Sequence, residues 1–306
     1  MKTITLAHYY APMEVQQLAD FVGDSLELSR IAQREKPDRI VFAGVRFMAE
    51  TAKILNPSVE VIIPDMRSTC SLVEQTNIDD LKKWLSSWMI RGDYMRVVHI
   101  SYINSSAEHK ALSDIIVTSA NVEDVVRYYA IRKYRILFSP DRNMGMYLKY
   151  LHPDWEIQVW SAVCEVHDAF KEQEIDDLFR QWTDGPKFLI SHPESPLPIL
   201  KRSNFVGSTT KMLKWVKEYK GSIGTIFVAT ERELVDIMKI TRPDLDIRLA
   251  AAYTGCQCAV CPYMKYNTVA SVRAAIDGTG GTRIDYLSPE TMKRALVPLE
   301  RMLEFT

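Results

Sequence analysis

Short runs of β-branched and other apolar residues alternate along the chain with longer stretches that have a helical period. Three of these runs open comparable segments: TITLAHYY from Thr3, RVVHISYINSS from Arg96 and KFLISHPES from Lys187. Each run is typical of a buried strand, and each ends in polar, chemically capable residues. The hydrophobic pattern therefore predicts three similar units, each opening with a strand that leads into candidate chemistry.

Each unit continues in the same order after its first strand. A small-residue element leads into a helical pattern, and a second strand–helix pair and a third strand follow. In all three units a Ser or Thr lies where the small-residue element meets the helix, which predicts an N-cap there. The expected units are residues 1–86, 87–183 and 184–286, with a C-terminal helix in 287–306 that packs back on the first unit.

Strands that alternate with helices predict parallel sheets covered by helices on both faces, the three-layer α/β architecture. Ligands of such sheets gather outside the carboxyl ends of the strands. If three similar units pack around a rough threefold axis, their strand-end loops converge on one place. The predicted fold is therefore three α/β/α domains whose loops can build a shared central site.

Every third strand runs into a cysteine, and these cysteines are Cys70, Cys164 and Cys261, at nearly equal spacings. The repeat thus selects one thiol from the local run CQCAVC. It leaves Cys256 and Cys258 as bystanders, or as partners in a strained and easily reduced disulfide. Three thiolates from separate loops suit an iron–sulfur cluster in which one iron has no protein ligand. Such an iron can act as a Lewis acid on small oxygenated acids.

A local zinc site is the competing interpretation of the C-x-C-x₂-C run. It is disfavoured because a zinc knuckle usually pairs two C-x₂-C motifs, or one with histidines, and this run has no such partner nearby.

Polar side chains that could complete a site follow the strands or begin the helices of all three units. Hydroxyls and backbone N–H groups at helix starts bind carboxylate or phosphate, and a carboxylate beside a histidine can transfer protons. The candidates are His8, Tyr10, Ser25, Tyr102, Asn104, Ser119, His167, His192, Glu194, Ser208 and Thr209.

Composition narrows the classes of function. The 306 residues are 47% hydrophobic and 25% charged, an ordinary globular mixture, and the net charge of −1 gives no support for a nucleic-acid partner. The start of the chain lacks the apolar run of a signal peptide, and no run reaches membrane-spanning length, so no membrane partner is expected. An odd number of cysteines, five, favours metal or catalytic thiols in the cytoplasm over a disulfide framework.

At these residues the chain resembles quinolinate synthase, an iron–sulfur enzyme of pyridine nucleotide biosynthesis. The motifs run nearly end to end in that family's order, and the set is specific although each motif alone is weak. They are LAHYY, ADFVGDSLELSR, FMAETAKILNP, YINSSAE, TSANVEDVV, PDRNMG, SHPE, VGST and CPYMKYNT.

The resemblance implies three α/β/α domains around a pseudo-threefold axis, with a [4Fe–4S] cluster on Cys70, Cys164 and Cys261. The implied reaction condenses iminoaspartate with dihydroxyacetone phosphate and gives quinolinate, phosphate and water. In it the open iron binds the intermediate and assists the loss of its hydroxyl. Because iminoaspartate is labile, a transient partner that supplies it is plausible.

The family's active-site residues fall on the candidates named above. The resemblance implies that Glu194 moves protons together with His192, and that Tyr10 is a second acid–base group. Asn104, Ser208 and Thr209 are expected to hold carboxylates or phosphate. One departure from the family pattern is VATERE, which replaces a common Gly-Thr-Glu and leaves the role of Thr230 open.

Two other functions share part of this pattern. A reductase of isoprenoid diphosphates also places three cysteines around an open-iron cluster, but it needs electron delivery and a diphosphate pocket. A non-enzymatic small-molecule-binding protein could instead carry a structural metal on the same cysteines. Colour separates these classes, since an iron–sulfur protein is brown and a zinc protein is colourless.

Overall fold

The computed structural model describes residues 2–89, 96–182, 185–221, 224–250 and 259–305. Strands in these ranges form three sheets that are almost entirely parallel, with helices on both sides, so the predicted fold class is confirmed. Every helix in the same ranges is too short or too polar to cross a bilayer.

The three units repeat one order of elements. The first contains β1 (Thr3–His8), α1 (Met13–Gln16), β2 (Phe21–Gly23), α2 (Ser25–Glu35), β3 (Arg39–Ala43), α3 (Arg46–Leu55), β4 (Glu60–Ile63), α4 (Ser71–Glu74) and α5 (Ile78–Met89). The second contains β5 (Val97–Tyr102), α6 (Ala107–Lys110), β6 (Ile115–Val117), α7 (Val122–Ala130), β7 (Arg135–Ser139), α8 (Arg142–Leu151), β8 (Ile157–Val159), α9 (Glu165–Asp168) and α10 (Glu172–Gln181).

The third unit ends at a strand, and a C-terminal segment follows it. The third unit contains β9 (Lys187–Ser191), α11 (Leu197–Arg202), β10 (Phe205–Val206), α12 (Thr209–Glu218), β11 (Thr225–Ala229), α13 (Arg232–Thr241) and β12 (Asp246–Leu249). The C-terminal segment contains a 3₁₀ turn (Met264–Tyr266), α14 (Val269–Ile276), β13 (Thr282–Arg283) and α15 (Pro289–Glu304).

Strand order is the same in all three sheets. It runs β2-β1-β3-β4 in the first, β6-β5-β7-β8 in the second and β10-β9-β11-β12 in the third, with every one of these neighbours parallel. The chain leaves each first strand to one side and then returns to its other side. This reversal places a topological switch point between the first and third strands of each unit, where ligands of open α/β sheets bind.

The central strands show why the hydrophobic runs lack a polar face. The strands β7 and β11 are buried along their whole length, because helices cover both faces of their sheets. A strand in such a parallel sheet reads as a continuous apolar run instead of an alternating one.

The predicted Ser or Thr N-cap is correct in only one unit of the three. Helix α12 begins after Ser208, whose hydroxyl accepts a hydrogen bond from the helix backbone. The N-cap of α2 is Asp24, which accepts from two backbone N–H groups, and Ser25 is the first helical residue. Asn121 takes the N-cap position of α7, two residues after Ser119. Asp is as good a cap as Ser, so backbone position decides in favour of Asp24. The Asn121 side chain does not cap α7, because its Oδ1 accepts from the backbone N–H of Thr118.

The C-terminal segment returns to the first two units. Although α14 and β13 fall within residues 184–286, the range expected for the third unit, β13 pairs antiparallel with β4 and α14 contacts β3 of the first sheet. Pairing with β13 covers an edge of β4 that would otherwise be open. Helix α15 contacts α3 of the first unit and also β6 and α6 of the second.

The hydrophobic core is divided unequally. One cluster runs through the first and second units and includes α15 residues such as Leu299. The third sheet carries separate clusters on its two faces, around Phe227 and Val228, and only the Phe227 cluster is completed by the second unit, through Val166 and Phe170. Tyr9 and Tyr10 of the first unit pack against the Val228 cluster.

Candidate active site

Side chains from all three units line one cavity that is partly open to solvent. Of the sequence candidates, Ser208 does not line it, because its hydroxyl caps α12. The candidates that line it are His8, Tyr10, Ser25, Cys70, Tyr102, Asn104, Ser119, Cys164, His167, His192, Glu194, Thr209 and Cys261.

The topology explains this convergence. His8, Tyr102 and the pair His192 and Glu194 end or directly follow β1, β5 and β9, the first strand of each unit. Each of these strands borders the switch point of its sheet, where the connections diverge and leave a crevice. Three such crevices face one cavity.

Three thiols reach the cavity on separate loops. Cys70 and Cys164 are the residues just before α4 and α9, and Cys261 precedes the 3₁₀ turn; all three are free and half-buried. Cys256 and Cys258, the expected bystanders, lie outside the described residues.

Burial raises the pKa of each thiol, to about 12 for Cys261, and the charges of the other thiols raise it further for Cys70 and Cys164. Such thiols ionise at neutral pH only beside a strong positive charge, such as that of a coordinated metal ion.

A second donor set shares Cys164. One ligand atom each from Cys164, His167 and Glu194 lies within 4.8 Å of the others. His167 and Glu194 are already engaged, however, because Nε2 of His167 is 3.1 Å from the Thr230 hydroxyl and Oε1 of Glu194 accepts from Tyr102. These hydrogen bonds join the imidazole and the carboxylate to Thr230 and Tyr102, and Nδ1 of His167 also lies 3.2 Å from Sγ of Cys164.

The carboxylate of Glu194 contacts polar side chains from the second and third units. The Tyr102 hydroxyl donates to its Oε1 at 2.6 Å, and Nδ1 of His167 lies 2.8 Å from its Oε2. The amide of Asn104 and Nδ1 of His192 are more distant, at 3.5 and 3.9 Å. The structure thus makes His167 the nearer imidazole partner of Glu194, where the sequence had paired it with His192.

Glu194 is ionised in this setting. Burial by itself raises the pKa of the carboxyl, but His192, His167 and the Tyr102 hydroxyl outweigh it and hold the pKa of Glu194 below its ordinary value. The burial of Tyr102, followed by the charge of Glu194, raises the pKa of its hydroxyl well above the usual range, so the hydroxyl remains a donor.

A chain of hydrogen bonds connects Glu194 to Tyr10. The Thr230 hydroxyl lies 3.1 Å from Nε2 of His167 and 2.9 Å from the Tyr10 hydroxyl. Because an ionised carboxylate only accepts, Nδ1 of His167 donates to Glu194, and the Thr230 hydroxyl, which can both donate and accept, links Nε2 of His167 to the Tyr10 hydroxyl. Thr230, whose role the sequence left open, is the central member of this chain.

His8 and His192 repeat one local motif. In each case Nδ1 accepts from the backbone N–H two residues later, at 3.1 Å from Tyr10 and 3.5 Å from Glu194. Burial lowers the pKa of His8 to about 4 and the pKa of His192 to about 3, so both rings are neutral at physiological pH. A neutral ring that accepts at Nδ1 carries its proton on Nε2, where it can donate to a substrate oxygen.

The starts of two helices are tied together at the edge of the cavity. Ser25 begins α2 and Thr209 begins α12, and the Thr210 hydroxyl donates to Oδ2 of Asp24 at 2.7 Å across the first and third units. Helix starts carry partial positive charge, so this edge favours anionic groups of a ligand.

Several residues that line the cavity were not predicted from the sequence. Each polar one is the chain neighbour of a residue named in the sequence analysis, so extending each motif by one position would have included it. These polar residues are Asp24, Thr69, Thr118 and Glu231. Burial raises the pKa of Glu231 to about 8, and its carboxylate accepts from the backbone N–H of Cys261 at 3.3 Å.

An ionised carboxylate, neutral imidazoles and protonated phenols that share one buried cavity define an enzyme built for proton transfer on a small molecule. Comparison with known proteins is more specific, because residues 1–304 match the family described as "Quinolinate synthetase A protein". The chain therefore belongs to this family of enzymes, and the resemblance stated from the motifs is confirmed.

Individual relatives match along nearly their whole length. Quinolinate synthase of Microcystis aeruginosa (strain NIES-843 / IAM M-2473) is 38% identical, over 100% of this chain and 92% of that protein. Quinolinate synthase of Cyanophora paradoxa is 39% identical, over 100% and 89%. Quinolinate synthase of Sulfurihydrogenibium sp. (strain YO3AOP1) is 35% identical, over 98% and 93%.

Proposed function

We propose that this chain condenses iminoaspartate with dihydroxyacetone phosphate, giving quinolinate with loss of phosphate and water. The observation that carries the proposal is the convergence of Glu194 and the three repeat-end cysteines on one cavity, in a chain that matches the family from end to end. Neither a diphosphate reductase nor a non-enzymatic binding protein is favoured by the comparisons.

The proposed cofactor is a [4Fe–4S] cluster held by Cys70, Cys164 and Cys261. The three thiols fit it because they are free, come from three loops and line the same cavity. A cluster with three protein ligands supplies one open iron, whose Lewis acidity favours departure of a hydroxyl from a bound acid.

The proton transfers of the condensation and dehydration fall to the chain that joins Glu194 to Tyr10. Glu194, ionised and 3% exposed, is the base, and Tyr10, with a protonated hydroxyl, is the acid at the opposite end. His167 and Thr230 connect the two, so a proton taken at one end can be replaced at the other. His8 and His192 donate from Nε2 to substrate oxygens.

Polar groups that line the cavity are proposed to bind the carboxylates and the phosphate of the substrates. Asn104, Ser119 and the helix starts at Ser25 and Thr209 line the cavity and offer donors to anionic oxygens. Ser208 contributes through the start of α12, which its hydroxyl caps.

The proposed setting is the cytoplasm, where thiols stay reduced. Because iminoaspartate is labile, the proposal includes a transient partner that delivers it. The proposed partners are otherwise the two small-molecule substrates, with no nucleic acid and no membrane.

The deciding experiment is anaerobic turnover by the iron-loaded protein. With iminoaspartate and dihydroxyacetone phosphate supplied together, we expect quinolinate and phosphate to form in equal amounts. Brown, iron-loaded protein that forms no quinolinate would contradict the proposal, and a colourless zinc protein would favour the binding-protein alternative.

The cluster ligands can be tested separately. Cys70→Ala and Cys164→Ala each remove one of three ligands, so we expect loss of bound iron and of turnover while the far-ultraviolet circular dichroism stays that of the folded protein. Iron per chain and quinolinate formation are the measurements. Full iron content together with full turnover in either variant would show that its thiol is not a ligand.

A further inference from the structure

In the motif PDRNMG, the side-chain amide of Asn143 is buried between the chain segments that carry His167 and Glu194. Asn143, the second residue of α8, is 5% exposed. Its Nδ2 donates to Oδ1 of Asp168 at 2.8 Å and to the backbone oxygen of Glu194 at 2.9 Å. Asp168 directly follows His167, so one amide group contacts the chain segments of both His167 and Glu194.

The second unit therefore holds Glu194 at both ends. Tyr102 and His167 hold its carboxylate, and Asn143 holds its main chain. The 2.8 Å contact between His167 and Glu194 joins two units, and beside it the Asn143 amide binds the Asp168 carboxylate of its own unit and the main-chain oxygen of Glu194 in the third unit. We propose that Asn143 is a positioning residue that sets the separation of His167 and Glu194.

The environment of Asn143 separates this role from ordinary helix capping. Asp141 already caps α8, since its Oδ1 accepts from the backbone N–H of Met144 at 2.6 Å. The orientation of the Asn143 amide is also determined, because its Oδ1 faces the guanidinium of Arg142 at 3.4 Å while its nitrogen faces two oxygens. Both N–H groups are thus committed to Asp168 and Glu194, a pattern that a carboxylate or an alkyl side chain cannot reproduce.

Arg142 provides a matched control in the same motif. Its Nη2 donates to the same oxygen of Asp168, at 3.0 Å, but its side chain is 48% exposed and no described contact connects it to Glu194. If the anchoring of Asp168 alone mattered, loss of Arg142 and loss of Asn143 would have similar effects.

The test uses the iron-loaded protein and the variants Asn143→Ala, Asn143→Asp, Asn143→Ser and Arg142→Ala. Because misplacement of a reacting group by about 1 Å can cost ~100-fold in rate, we expect Asn143→Ala and Asn143→Asp to lower kcat by about 10- to 100-fold. KM should change by less than about threefold, since Asn143 does not line the cavity. Asn143→Ser, which keeps one donor, should be intermediate, and Arg142→Ala, which leaves both N–H bonds of Asn143 in place, should lower kcat much less than Asn143→Ala.

A readout independent of turnover is the crystal structure of Asn143→Ala with its cluster. We expect the distance from Nδ1 of His167 to the nearer carboxylate oxygen of Glu194 to be longer than in the wild type. An unchanged distance, an unchanged kcat, or equal effects of Arg142→Ala and Asn143→Ala would each overturn the inference. If Asn143→Ala does not fold, Asn143→Ser is decided by the same two measurements, and failure of every Asn143 variant to fold would also overturn it.

The inference rests on the proposed function, but the two fail in different ways. Wild-type protein that forms no quinolinate would contradict the proposed function, and the crystallographic distance would then still decide the role of Asn143. If the wild-type protein is active and the Asn143 variants have the same kcat and the same distance from His167 to Glu194, only the inference about Asn143 is contradicted.

Discussion

The Thr230 hydroxyl contacts two side chains of the proposed acid–base chain at once. It is fully buried, and its Oγ1 lies 2.9 Å from the Tyr10 hydroxyl and 3.1 Å from Nε2 of His167. A hydroxyl can donate to one group while it accepts from another, so Thr230 can link Tyr10 and His167 in one hydrogen-bonded chain. Among the contacts described above, this atom is the one that joins Tyr10 to His167.

Thr230→Val keeps the shape of the side chain and removes the hydroxyl that both neighbours use. We expect a folded, iron-loaded variant whose kcat for quinolinate formation falls by about 100-fold, the low end of what a positioned acid–base group contributes. Thr230→Ser, which retains the hydroxyl, is the control and should keep most of the activity. Equal activity of the Val and Ser variants would show that the chain through Thr230 carries no proton.

Helix α8 packs on the strands beneath it with no room for a side chain at one glycine. A Cβ added at Gly145 would lie 2.5 Å from Cγ1 of Val159 and 3.0 Å from Cδ1 of Phe138. Both neighbours belong to the second sheet, on β8 and β7. The same helix carries Asn143, so its distance from the sheet bears on the active site as well as on the core.

Gly145→Ala tests this packing. Alanine is the better helix former by ~1 kcal/mol, but overpacking a core typically costs about 1–3 kcal/mol, so we expect a net fall in the free energy of unfolding. Chemical denaturation measures it. Adding Val159→Ala removes the closest neighbour, and the two substitutions together should cost less than the sum of their separate effects. If the two destabilisations are strictly additive, Val159 is not the residue that clashes with a Cβ at position 145.

At the scale of the whole molecule, a buried lysine occupies the contact between the first and second units. Lys110 is fully buried; its Nζ donates to the backbone oxygens of Ile103, at 2.9 Å, and of Ser105. It also lies 5.2 Å from the centroid of the Phe47 ring, on α3 of the first unit. These contacts brace the loop that presents Asn104 to the cavity.

Burial lowers the pKa of Lys110 from 10.5 to about 7, although the charge of Glu50 opposes the shift. Between these two values the unfolded chain binds the proton and the folded chain does not, so stability rises with pH across this window. Lys110→Met removes the effect. The free energy of unfolding of the wild type should therefore climb relative to that of Lys110→Met, by up to ~1.4 kcal/mol per pH unit.

The quantity to compare is the difference in free energy of unfolding between the wild type and Lys110→Met. The other titrating groups are common to both proteins, so their contributions cancel in this difference. Chemical denaturation at a series of pH values above 7 measures that difference. A difference that does not change with pH would show that Lys110 titrates alike in the folded and unfolded chains.

Much of this architecture could be predicted from local pattern. The three-unit repeat, the parallel sheets and the candidates at the strand ends follow from hydrophobic periodicity and from chain neighbours, which short-range sterics and burial determine. The choice of Cys261 over Cys256 and Cys258 came from the repeat and its motif, and Cys261 does line the cavity.

The partners of those residues were decided by the tertiary structure alone. His167 replaces His192 as the nearer partner of Glu194, Thr230 joins Tyr10 to His167, and β13 pairs with β4 more than two hundred residues earlier in the chain. Hydrogen bonds depend on separations of a few tenths of an ångström between atoms that the chain brings together from distant segments. Periodicity specifies which face of an element is buried, but such distances arise only when the sheets, loops and helix starts of all the units pack together.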